Sequence, residues 1–226
     1  MDFRSGFELH TDLLISYAIY MSGLFFFGIL CCAVLICYKF IRRSREQLLQ
    51  QHCITLFQAL FDAPPRSSPI TEQLNAFIRD RPITACYGIV RCLEDKECNS
   101  IKHFHEKLNL VEIPTAINAS IKSVFIKNKA IALEAMGLTK IEIDPKIIWK
   151  CLNDVNLAPF ATEALARIKG KAALPDIARC HQNQQITNSQ LLTALLQINP
   201  SDLSQFLNSP KGKLIPAELL RYLRAS

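Results

Sequence analysis

The chain has 226 residues, enough for one ordinary domain and an additional segment. Half of them are hydrophobic, more than a soluble domain of this size uses, and the excess is concentrated near the N-terminus. The formal charge of +6 is mild, and the Lys and Arg residues neither cluster nor interleave with aromatics, which excludes a nucleic-acid reader.

From Leu13 to Tyr38 there are 26 residues without a charge. As a helix rising ~1.5 Å per residue, this run covers roughly 39 Å, more than the ~30 Å hydrocarbon core of a bilayer. It predicts a transmembrane helix over residues 13–41, preceded by a short arm over 1–12. Tyr17, Tyr20 and Tyr38 stand toward its ends, as interfacial aromatics do. A cleaved signal peptide has a basic start and a shorter apolar stretch. Here Asp2, Glu8 and Asp12 come first, and the basic residues follow the run. A buried core helix would carry a polar face, and this one has none. Gly23 and Gly28 are five apart, so they do not make the GxxxG pairing motif.

Orientation follows from the flanking cations. Only Arg4 precedes the run, whereas Lys39, Arg42, Arg43 and Arg45 follow it. The positive-inside rule puts the arm outside and the C-terminal part in the cytoplasm of a single-pass inner or plasma membrane. Lys39, Arg42, Arg43 and Arg45 are then expected to meet anionic headgroups. From Ser44 onward stand 22 basic and 17 acidic residues, a surplus of five, which suits proximity to an anionic surface.

Residues 42–68 predict a juxtamembrane helix ending in the Pro/Ser-rich loop around Pro64, Pro65, Ser67 and Ser68. Beyond it, over 69–226, apolar residues recur at three and four, as in Leu157, Phe160, Ala161, Ala164, Leu165 and Ile168. The expected class is all-α: one N-terminal transmembrane helix, then a short α-solenoid of stacked helical hairpins. Asp144 followed by Pro145 predicts a helix start, and Thr187 with Gln190 has capping-box spacing. Gly137 and Gly170 are placed as helix stops.

The hairpins repeat. Pro82, Pro114, Pro145 and Pro175 are spaced by 32, 31 and 30 residues, each at a helix opening. Ile148 and Ile177 are 29 apart, as are Cys151 and Cys180. Ala135, Ala164 and Ala194 recur at 29 and 30. Two phased helices in about 30 residues is the pattern of a helical solenoid, in which one hairpin cannot bury its apolar face alone.

The stretch from Asn156 to Arg179 resembles the short HEAT-like repeats of bacteria, of the type named after phycobilisome lyases. The resemblance lies in the Ala-rich helix through Ala161, Ala164 and Leu165, the stop at Gly170, and the opening Ala173, Leu174, Pro175. It is good from about 128 to 180 and weaker from 82 to 127, where His105 stands in place of the Ala. Pro200 to Leu223 is similar to a degenerate cap. The resemblance implies a curved scaffold that binds another macromolecule, in a bacterial setting. The lyases it resembles attach bilin chromophores. This chain departs from them in its membrane anchor and in lacking clustered polar residues.

Chemistry is sparse. Cys98, His103 and His105 are the nearest approach to a metal-ligand set, but His103 and His105 point apart on a helix. Cys151 and Cys180 recur in register and read as core thiols. Trp149 is the single tryptophan and serves either as a binding anchor or as a groove contact. Lys169, Gly170 and Lys171 form a helix-end turn, not a phosphate cradle, and there is no P-loop, GxGxxG or GxSxG. No catalytic, cofactor or metal residue is expected, and no small-molecule substrate. The reading that follows is a membrane-anchored scaffold for a protein partner, an accessory subunit of a membrane or envelope complex. Its binding face would be the exposed side of the second helices, with Lys129, Glu134, Glu163 and Arg167. The alternatives are a lyase-like or metal-dependent activity on the same fold, or a structural membrane protein that self-associates through its span.

Overall fold

The computed structural model describes residues 3–62, 68–94, 107–141, 144–208, 215, 216 and 219. Among them every regular element is helical and there is no strand.

Helix α1 runs from Phe3 to Asp62 without interruption. No Gly or Pro occurs between Ile29 and Asp62, so nothing breaks it after the apolar run. The basic residues that follow are good helix formers, and Arg42 pairs with Glu46 one turn on at 3.1 Å. The expected transmembrane and juxtamembrane helices are therefore one element. Within it lies an 18-residue window of mean hydropathy 2.4, none of it buried, so α1 is long and apolar enough to cross a membrane.

The chain divides into two compact units, one ending at Leu49 and the other beginning at Gln50. The second contains α2 (Ser68–Asp80), α3 (Pro82–Glu94), α4 (Ile113–Ile121), α5 (Ile126–Thr139), α6 (Pro145–Leu152), α7 (Ala158–Lys169), α8 (Leu174–Gln182), α9 (Asn188–Leu195) and α10 (Pro200–Leu207). The last turns of α1 belong to this unit and place Cys53, Phe57 and Leu60 in its core. Burying a side chain such as Phe57 stabilises by roughly 1.5–3 kcal/mol over leaving it in water.

The periodic prolines all open helices, but not the same helix of each hairpin: Pro114, Pro145 and Pro175 start α4, α6 and α8, whereas Pro82 starts α3, which packs in series with α5. Pro82, Pro114, Pro145 and Pro175 each lie in the first turn of a helix, where a missing N–H costs nothing. Asp144 caps α6 by accepting from the Lys146 N–H at 2.9 Å. Thr187 and Gln190 form the complete capping box of α9. Gly170, with φ of 51°, ends α7, and a 3-10 turn over Gly170–Ala173 leads into α8.

Gly137 does not stop a helix. Helix α5 continues to Thr139 and closes on Lys140, itself left-handed with φ of 54°. Gly137 is instead where α7 comes closest: a Cβ there would lie 2.8 Å from the Ala164 Cα.

Packing follows the sequence order. α2 lies on α3 and α4, α3 on α4 and α5, and α4 on α5. α6 lies on α7 and α8 on both α7 and α9. The odd-numbered helices also touch in series, α3 on α5, α5 on α7 and α7 on α9. Ala135, Ala164 and Ala194 occupy α5, α7 and α9 in phase and are all buried, which lets these helices approach closely. Between α2 and α4, Arg79 forks onto Glu112, with Nε donating at 2.9 Å and Nη2 to the other carboxylate oxygen. No buried side-chain nitrogen or oxygen among the described residues lacks a partner.

Candidate functional site

Of the four polar residues expected on the second-helix face, three come together and one does not. Lys129 and Glu134 are both on α5, but five positions turn a helix by about 140°, so they face different ways. The Lys129 charge reaches the Cys151 thiol, on α6. Glu134 interacts with Glu163 and Arg167 of α7, and with Arg91 and Glu94 of α3.

This makes a charged band across three consecutive odd-numbered helices. On α3, Arg91 donates from Nε to the Tyr87 hydroxyl at 3.2 Å and from Nη1 to Glu94 Oε2 at 3.1 Å. Its guanidinium also lies 5.5 Å from the centre of the Tyr87 ring. On α7, Arg167 Nη2 stands 4.0 Å from Glu163 Oε2. Its Nε donates at 3.1 Å to Gln197 Oε1, just beyond α9. Arg91, Glu94 and Gln197 were not foreseen. Arg91 and Glu94 lie on α3, which the proline phase makes a first helix of its repeat but which packs in series with α5 and α7.

Electrostatics within the band are uneven. Partial burial pushes the Glu134 carboxyl above its ordinary value, Glu94 and Glu163 add to this, and Arg167 and Arg91 oppose it. Burial likewise raises Glu163, against Arg167. Two half-desolvated carboxylates that are short of donors are suited to accepting hydrogen bonds from an incoming surface.

Arg167 also borders an open cleft of about 1080 Å³ at the corner between α7 and α8. Lys140, Lys169 and Lys171 line it with Arg167, against the single carboxylate of Asp202. Lys171 donates its ammonium to Gln205, across the corner made by Gly170. Ile168, Pro175, Ile198 and Phe206 supply apolar lining.

The other sequence candidates fall elsewhere. Trp149 is partly exposed on α6, with the Arg179 guanidinium 6.0 Å from its ring centre. Cys151 and Cys180 are buried; burial raises both thiols, Cys180 to about 11. Cys98, His103 and His105 lie outside the described residues. Among the described residues no three His, Cys, Asp or Glu side chains are grouped as a metal site would require. Lys39, Arg42, Arg43 and Arg45 are all exposed along α1. No family model, no curated protein and no solved structure matches this chain.

Proposed function

We propose that the protein is a membrane-anchored interaction scaffold. In this reading α1 crosses the bilayer once, with the part from Gln50 onward in the cytoplasm as a short HEAT-like α-solenoid. Lys39, Arg42, Arg43 and Arg45 lie against anionic headgroups. The partner is a protein, and it docks on the charged band that runs over α3, α5 and α7. Anchoring raises the effective concentration of a weakly held partner near the membrane.

The observation that carries the reading is the serial packing of α3, α5, α7 and α9 around in-phase buried alanines, with Arg91, Glu94, Glu134, Glu163 and Arg167 aligned across it. Stacked hairpins of this kind present extended recognition surfaces. The test is capture of the full chain from detergent-solubilised membranes, beside a variant carrying Glu163→Lys and Arg167→Glu. A stoichiometric protein partner present with the wild type and lost from the variant is the expected result. A chain that comes down alone in several detergents overturns the proposal. Visible absorption or bound metal in that purified chain points to the lyase-like or metal-dependent alternative. A detergent-resistant oligomer abolished by changes in 13–41 points to self-association.

A further inference from the structure

The turn between α4 and α5 puts a run of apolar side chains into water. Val124, Phe125 and Ile126 are consecutive, apolar, and 90%, 71% and 47% exposed. Three neighbouring apolar side chains in water mark a contact surface, whereas single ones are ordinary. Phe125 is also the N-cap of α5 and gives that helix no side-chain hydrogen bond. Helices α6, α9 and α10 are capped by Asp144, Thr187 and Asn199, which accept from the backbone, whereas α4, α7 and α8 share with α5 the lack of a side-chain cap. The apolar N-cap residues of α7 and α8, Leu157 and Ala173, are buried, whereas Phe125 puts its ring in water.

The turn is nonetheless well built. Ser123 Oγ accepts from the Phe125 N–H at 3.3 Å and from Asn128 Nδ2 at 2.9 Å. The Asn128 N–H closes onto the Phe125 carbonyl at 3.1 Å. Val124 and Phe125 are therefore held at a fixed tip.

The charges around the tip indicate its partner. Lys122 and Lys127 flank it and are exposed, Lys129 follows, and no acidic residue occurs between Glu112 and Glu134. Protein interfaces enrich arginine and deplete lysine. Lysines on flexible stems beside an aromatic and two aliphatics match the headgroup and upper acyl layers of an anionic bilayer. We infer that the 122–129 turn is an interfacial membrane contact, inserting Val124, Phe125 and Ile126 into an anionic leaflet while Lys122, Lys127 and Lys129 bind its headgroups. This rests on the reading of α1 as a span, which keeps a bilayer at high local concentration.

The test uses the full chain in vesicles of phosphatidylcholine and phosphatidylserine, with Trp149→Phe as the silent background. Phe125→Trp reports on the turn and Phe26→Trp, in a second variant, on the span. The expected result is quenching of both reporters by lipids brominated on their acyl chains. The Phe125→Trp quenching should fall severalfold when phosphatidylserine is omitted or when Lys122, Lys127 and Lys129 are changed to Gln. If Phe26→Trp is quenched while Phe125→Trp stays open to aqueous iodide, the turn inference fails and the span stands. Protection of Phe125→Trp from both quenchers means protein covers the turn, which also overturns the inference. If Phe26→Trp escapes brominated lipid as well, the span reading falls together with it.

Discussion

Gly137 shows how much a single missing side chain decides. Replacing it with Ala gains up to ~1 kcal/mol in helix propensity. The new methyl meets the Ala164 backbone at 2.8 Å, however, and overpacking of that kind costs about 1–3 kcal/mol. Gly137→Ala should therefore lower stability by about 1 kcal/mol, read as an earlier urea midpoint at unchanged slope. A gain of about 1 kcal/mol would mean that α7 can back away at no cost. Glu134 makes the second residue-scale case. Its carboxyl is raised above the ordinary 4.5, mainly by burial, so the folded chain holds a proton that the unfolded chain has released. Stability accordingly declines as pH rises from 4.5 through the raised value. Glu134→Gln should melt later than wild type at pH 7, and the advantage should shrink as pH falls below 4.5. Glu112 has the opposite sign. Arg79 holds its carboxyl below the ordinary value, so its contribution is present at neutral pH and is lost in acid.

Among elements, α5 carries the sharpest conflict between stability and surface. Changing Phe125 to Ser supplies the missing N-cap and should raise stability by about 0.5–1 kcal/mol, seen as a higher melting temperature in detergent. The same change should remove the turn from the lipid interface, a trade of activity for stability. A Phe125→Ser chain no more stable than wild type would show that the extended backbone at 125 cannot present a hydroxyl to the first turn. Element boundaries were largely legible in the sequence where a residue acts on its immediate neighbours. Asp144, Pro145, Thr187, Gln190 and Gly170 all do so, and each sits where local chemistry places it. Gly137 was not legible, because the difference between a stop and a close approach is set by Ala164 on another helix. Nor was the continuity of α1 anticipated. The basic residues after Tyr38 invite a boundary, yet they favour helix, and no Gly or Pro follows until Pro64.

On the scale of the whole chain, the all-helical class and the long apolar N-terminal helix were visible in period and length alone. The charged band was visible only in part. Lys129 shares polarity with Glu134 but not its helix face, since five positions turn a helix by about 140°. Arg91 and Glu94 fell outside the expected face because Pro82 is in phase with the prolines that open first helices, and only the packing shows α3 in series with α5 and α7. The cleft at Gly170 was read as a helix end, which it is. Its cations come from α5, α7 and the turn together, and only packing assembles them. If the band is the docking surface, binding should weaken with salt, since Arg91 and Glu94 are open to solvent and Glu163 and Arg167 are still partly so. Affinity of the captured partner measured between low and high ionic strength checks this, and an unchanged affinity would point to an apolar surface instead.

The buried thiols offer the experimenter a built-in clock. Cys53 lies toward the C-terminal end of α1, Cys86 and Cys92 on α3, Cys151 on α6 and Cys180 on α8, all enclosed. Burial raises Cys86 and Cys180 to about 11 and drives Cys53 higher still, so these three are not ready thiolates in the closed fold. Each becomes reactive when its own helix opens, so pulses of an alkylating reagent in mild urea, resolved by peptide mass, would time the opening of each helix separately. Simultaneous labelling would reveal one cooperative block, and a staggered order would identify the helix that yields first.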